Sequence, residues 1–190
     1  MRARSKTIFH LLFACTTLLL LTGCGYHMHT MGKPIGIEIK SMAIPMVKSP
    51  SAFLGFEPVF TTAIRREFIS HAKIPLVSEK NAAMVLIVNV RKIWTEPLTY
   101  RITKTKVSGN NTYYEVTNSR WIRAKIKARL VNRTTGKVVW EDNSINERTT
   151  YALTSNPPDP ILDRYNKKEA VRRIAEQIAK RLYLKTMERF

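Results

Sequence analysis

The side chains able to do chemistry are few in this 190-residue chain, and most of them are cations. Its cysteines are Cys15 and Cys24, and its histidines beyond that point are His27, His29 and His71. His27 and His29 stand as H-x-H, a spacing a metal ion could use. With no nearby carboxylate and no regular period around them, they read as exposed side chains. Glu141 and Asp142 are adjacent carboxylates, and beside Trp140 on a strand pattern they read as a solvated face. No G-x-S-x-G, Gly-rich phosphate loop or H-E-x-x-H occurs. The chemistry on offer is therefore binding, not catalysis. Its densest expression is Arg123, Lys125, Lys127 and Arg129, which alternate with Ile122, Ala124, Ile126, Ala128 and Leu130. On an extended chain, period two sends the cations to one face and the apolar residues to the other.

The charge around this row is nearly all of one sign. Between Val85 and Thr135 there are 11 cations, among them Arg101, Lys104 and Lys106, against Glu96 and Glu115 alone. A solvated sheet face that discourages edge pairing expects mixed signs, so the uniform sign favours a polyanionic partner. Over the whole chain 32 basic residues face 14 acidic ones. Composition alone would point to nucleic acid.

The N-terminus points elsewhere. Arg2, Arg4 and Lys6 precede an apolar run from Leu11 to Leu21, and small residues follow it, the three-part pattern of a secretory signal. At 11 residues the run is far short of the roughly 20 that span a bilayer as a helix. Leu21-Thr22-Gly23-Cys24 resembles the bacterial lipobox, in which the cysteine is acylated and becomes the first mature residue. The expected division is a signal peptide at 1–23, a lipidated N-terminus and tether at 24–34, and one domain at 35–190. Gly25, in place of aspartate, fits sorting onward to the outer membrane by the enterobacterial rule. With Cys24 lipidated, no thiol remains for a disulfide, a nucleophile or a metal site, and no cofactor is expected beyond the covalent lipid. An exported, anchored protein rarely meets nucleic acid, and the dense anion outside the inner membrane is chiefly lipopolysaccharide.

The remaining elements must position the cation row. Ile35, Ile37 and Ile39, then Met42, Ile44 and Met46, predict a first strand with a bulge near Ser41. Phe56, Val59, Phe60, Ala63, Ile64 and Phe68 predict a helix over 57–71, with Arg65, Arg66 and Glu67 facing mostly solvent. Met84–Val90 begins a second strand ending near Trp94, with Pro97 marking an edge or the end of regular pairing. Ser108-Gly109-Asn110-Asn111 is a turn cluster, and Thr134-Thr135-Gly136-Lys137 turns into a strand from Val138 to about Tyr151. Val171, Ile174, Ala175, Ile178 and Leu182 make the stripe of a last helix over 166–187. Asn166 and Glu169 are placed for its capping box, and Asp159-Pro160 for an earlier first turn. The order is β-α-β-β-β-α: an α/β (α+β) two-layer sandwich, a four-stranded mixed sheet with both helices on one face.

Several stretches resemble the LPS-assembly lipoprotein family LptE. They are Cys24-Gly25-Tyr26-His27, Ile44-Pro45-Met46, Ala63 to Phe68, Ala82 to Leu86, Tyr113 to Val116 and Thr135 to Asp142. The resemblance covers nearly all of the mature chain, although Ala83 stands where relatives often carry aspartate. It implies a lipoprotein on the periplasmic face of the outer membrane that plugs an LptD-type β-barrel, helps it assemble and binds lipopolysaccharide. No binding residue carries over one for one. The candidate lipopolysaccharide site is therefore the charge pattern itself: Arg123, Lys125, Lys127 and Arg129, extended toward the barrel lumen by Arg101, Lys104 and Lys106. A lipoprotein activator of a cell-wall synthase usually needs a long disordered reach. The roughly ten residues from Gly25 to the first strand, at about 3.5 Å each, are too few. A pilotin-like chaperone of another outer-membrane complex stays open as the alternative. Cys24→Ser should leave the chain unprocessed or soluble, because two or more acyl chains give stable anchoring where one is marginal. Intact mass of the native protein tests this, and an unmodified mature N-terminus at Cys24 would contradict it.

Overall fold

The alternation in the cation strand dictates the architecture. In the computed structural model, which describes residues 38–49, 55–154 and 157–187, Ile122, Ala124, Ile126 and Ala128 are wholly buried, while Lys125 is exposed. The elements in order are β1 (Met42–Ala43), α1 (Glu57–His71), β2 (Met84–Val107), β3 (Asn110–Asn132), β4 (Val138–Ala152) and α2 (Pro160–Met187). The sheet order is β1-β2-β3-β4, with β1 parallel to β2 and the other neighbours antiparallel. The expected mixed four-stranded sheet with two helices is the fold observed.

Both helices contribute to one core on the inner side of β3. Phe60, Ile64 and Phe68 recur at every fourth position of α1 and are fully buried. Ile174, Ile178 and Leu182 do the same on α2. The helices meet where Phe68 and Tyr183 pack edge to face at 5.6 Å, and the Tyr183 hydroxyl donates to the His71 carbonyl at 3.2 Å. A second, small cluster of Ala43, Ala82 and Val85 covers the other face of the sheet beside β1. Among the described residues no helix is long and apolar enough to cross a membrane.

Strand one is much shorter than its alternation predicts. Within the described residues it pairs with β2 at Met42↔Met84 and Ala43↔Val85, with isolated bridges at Met42↔Leu76 and Lys48↔Asn89; Ile35 and Ile37 lie outside them. Pro45 has no N–H to give a ladder, and α1 side chains satisfy the backbone beside it. Arg65 donates from Nε and Nη2 to the Ile44 carbonyl at 2.9 and 2.6 Å, so it does not face only solvent. Buried Thr61 accepts from the Val47 N–H at 3.0 Å while donating to the Glu57 carbonyl.

Strand two is longer than expected. Pairing with β3 runs through Pro97 to Val107, with register shifts at Val90/Lys92, Pro97/Thr99 and Thr99/Tyr100. Beyond the short β1 and the Lys48 bridge, the far edge of β2 has no partner strand among the described residues, so a proline there removes no needed donor. Ser108 (φ 50°) and Gly109 (φ 84°) close the hairpin with two consecutive positive φ values, the backbone of a tight two-residue turn.

The last helix starts at Pro160, and Asp159 caps it. Its Oδ1 accepts from the Ile161 and Leu162 N–H groups at 2.9 and 3.0 Å. Asn166 lies inside the helix and donates to the Ala152 carbonyl, so the Asn166/Glu169 box is not the cap. The 28 residues give a helix of about 42 Å.

Ile126→Asp should lower stability by several kcal/mol, because a carboxylate would be buried without a partner. Lys125→Asp, one residue away and opposite Lys92, should not lower stability. Denaturant unfolding of both variants checks this, and equal destabilisation would contradict the alternation.

Candidate functional site

The outward residues of β3 form a ladder with those of its two neighbours. Arg123 stands between Trp94 and Arg148, Lys125 between Lys92 and Asn146, and Arg129 between Ile87 and Glu141; Lys127 faces Asn89. Along the strand these positions recur about every 6.6 Å, so the row from Arg123 to Arg129 covers about 20 Å.

The four cations are not equivalent. Lys127 Nζ lies 2.6 Å from Glu141 Oε1. That hydrogen bond, with one from Asn143 and against some desolvation, holds the Glu141 carboxyl below its usual range. Arg123 Nε approaches Glu96 Oε2 to 2.8 Å, out of line for a hydrogen bond, and the buried nitrogen keeps no hydrogen-bond partner. Glu96 is itself oriented by the Trp94 indole, which donates to Oε1 at 2.7 Å. That bond first, and then, against desolvation, the charges of Arg123 and Arg148 keep the Glu96 carboxyl below the ordinary value. The buried Arg129 Nε also has no hydrogen-bond partner. Lys125 is exposed and directly opposite Lys92.

Two successive outward-facing rungs therefore set like charges face to face, Lys92 against Lys125 and Arg123 against Arg148. Aromatic rings hold two of these cations in place. Lys92 Nζ lies 5.2 Å from the Trp94 ring centroid, and the Arg148 guanidinium 4.6 Å from that of Trp121. Lys92, Trp94, Trp121 and Arg148 were not among the residues picked out from the sequence. Finding them needs the registers of β2 and β4 against β3, which alternation within one strand does not supply.

Arg101, Lys104 and Lys106 are exposed, but they lie apart from the row. Opposite Val116, Tyr113 and Asn111, they sit on a two-stranded ribbon beyond Ser119, where β4 has ended. Arg101 is about 23 Å and Lys106 about 40 Å further along β2 than Trp94, and alternation puts Arg101 on the opposite ribbon face from Lys104. The ribbon continues the positive charge lengthwise without joining it into one patch.

Glu141 and Asp142 point to opposite sides of β4. Glu141 meets Lys127, while Asp142 bonds Lys185 of α2 and accepts from the Ser144 N–H, so the pair is neither a free solvated face nor an acid/base couple. Among the described residues no group of three or more His, Cys, Asp or Glu could hold a metal ion. Cys24, His27 and His29 lie outside the described residues.

Fold and site together define a two-layer α+β domain that presents a cationic, tryptophan-bearing sheet face. The family model described as LptE, lipopolysaccharide-assembly, matches residues 39–186, and the chain belongs to this family. Its role is accordingly in lipopolysaccharide assembly. A comparison with curated protein sequences gives no match. Among solved structures the chain is similar to a protein from Xanthomonas campestris, at 12% identity over 83% of this chain and 91% of that one, with a TM-score of 0.48. It is similar to lipoprotein B from Nitrosomonas europaea at 12% identity, 86% and 90% coverage and a TM-score of 0.45. The rare lipoprotein B from Shewanella oneidensis is similar at 14% identity, 77% and 93% coverage and a TM-score of 0.39.

The like-charge rungs have a measurable consequence. Lys125→Gln should raise stability by roughly 0.2–1 kcal/mol at low salt, the usual cost of like charges directly opposite on a sheet. Near 1 M salt, where the screening length falls to about 3 Å, the gain should vanish. Thermal unfolding at the two ionic strengths checks this; a gain unchanged by salt would place its origin outside electrostatics.

Proposed function

We infer that the chain is an outer-membrane lipoprotein, anchored through Cys24 on the periplasmic side. It works with an LptD-type β-barrel as a plug and assembly partner and binds lipopolysaccharide on the outer face of its sheet. The observation that carries the reading is the surplus of cations on successive outward-facing rungs of β2, β3 and β4. Lipopolysaccharide bears clustered phosphates and carboxylates on its lipid and inner sugars. A row of cations about 6.6 Å apart matches several such groups at once, and arginine can grip a phosphate with two parallel N–H donors. Membership of a lipopolysaccharide-assembly family supplies the biological context. The partner barrel and the covalent lipid follow from that family resemblance and from the lipobox. The binding is non-catalytic: the face presents donors and charge, with no nucleophile beside a base.

Binding of purified full-length protein to lipopolysaccharide should weaken as salt rises, since exposed charges are screened beyond about 8–10 Å at physiological ionic strength. Replacing Arg123, Lys125, Lys127 and Arg129 together with glutamine should lower affinity at least about tenfold, the loss of one or two charge-assisted hydrogen bonds. The same change should alter stability by about 1 kcal/mol or less, because the broken ion pairs lie at the surface. If the quadruple variant binds as tightly as the parent, this face is not the site.

A further inference from the structure

A cleft of about 460 Å³ opens on the outer face, lined by Trp94, Arg123, Asn146 and Arg148, with the Ala124 and Glu147 rung between them. Ala124 belongs to the buried face and Glu147 is held by Arg181 of α2 at 2.9 Å, so neither side chain is free to fill the opening. What does line it is a particular mixture. The Trp94 ring is fixed at one edge by its bond to Glu96, and Lys92, which does not line the cleft, lies over the ring at 5.2 Å, so the indole offers the cleft one flat apolar wall. Arg123 and Arg148 stand directly opposite each other, the first ion-paired through Nε with Glu96 at 2.8 Å and the second braced on Trp121. Asn146 spends its Nδ2 donor on the Ser144 carbonyl at 2.9 Å, leaving the amide oxygen as an acceptor. Among the described residues Glu96 is the carboxylate beside these arginines on the outer face, and Lys92 and Lys125 add positive charge on the next outward rung.

Two opposed arginines alone would suit any anion. A flat indole wall and an amide acceptor beside them suit an anion attached to a ring that carries hydroxyls. The volume also falls within the usual range for small-ligand sites, far larger than a bare phosphate needs. We propose that this cleft is a subsite for one acidic sugar, a phosphorylated or carboxylated monosaccharide unit. Its anionic group lies between Arg123 and Arg148, its ring rests against Trp94, and a hydroxyl donates to Asn146. The assignment rests on the reading that this face meets lipopolysaccharide, and it places the sugar portion, not the acyl chains, against the sheet.

The test uses full-length protein in detergent, with ¹⁵N-labelled tryptophan, titrated with glucose 6-phosphate. The indole signals of Trp94 and Trp121 should move saturably, while that of buried Trp140 stays. Glucose should produce no shift, and inorganic phosphate should bind at least about tenfold more weakly. Arg148→Gln should lower glucose 6-phosphate affinity about tenfold. Trp94→Ala should lower it by a larger factor than it changes the affinity for inorganic phosphate. Thermal unfolding of both variants confirms that they are folded. Equal affinity for glucose 6-phosphate and phosphate would mean an adventitious anion only, and no shift at Trp94 would overturn the site outright. Lipopolysaccharide titrated into the same sample separates the two readings. Binding of lipopolysaccharide without glucose 6-phosphate at Trp94 sinks the subsite alone, whereas glucose 6-phosphate binding without lipopolysaccharide sinks the broader reading.

Discussion

Everything in this domain depends on the strict alternation of β3 from Ile122 to Leu130. Each inward residue is buried in the core to which α1 and α2 contribute, and each outward one is a cation. A slip of one residue would bury four charges and expose five apolar side chains, so the register that builds the core also fixes the charged face. Stability and surface chemistry are therefore set by one constraint. The like-charge rungs on the outer face work slightly against stability and the core more than offsets them, the usual relation between a binding surface and the scaffold that carries it.

Much of this order is legible along the chain because period two and period 3.6 are local signals. The stripe of α2, the burial of α1 through Phe60, Ile64 and Phe68, and the meander of β2, β3 and β4 all follow from them. Where local reading fails, a non-local partner decides. Strand one is cut to Met42–Ala43 because Arg65 and Thr61 of α1 take over the Ile44 carbonyl and the Val47 N–H. Strand two passes Pro97 because, among the described residues, its far edge has no strand to bond at that point, a fact of sheet order and not of sequence. Helix two begins at Asp159-Pro160 because Asp159 reaches two free N–H groups, while Asn166 finds a carbonyl on the preceding strand segment.

The candidate site divides in the same way. The row of Arg123, Lys125, Lys127 and Arg129 is visible in the sequence as one strand's pattern. Its grouping with Lys92, Trp94, Trp121 and Arg148 is not, since those residues come from three strands brought together by two separate registers. Nor does spacing reveal that Lys127 is partly neutralised by Glu141 while Lys125 is left facing another lysine. The charge surplus therefore concentrates toward the Arg123 end of the row, beside the two tryptophans.

The central claim is that the outer sheet face, and not the helical face, meets lipopolysaccharide. Site-specific photocrosslinking in living cells tests it most directly, with the photoreactive residue placed at Lys125 and, separately, at Glu176 on the exposed side of α2. The account predicts lipopolysaccharide adducts from position 125 and none from position 176. Adducts from 176 without any from 125 would contradict it.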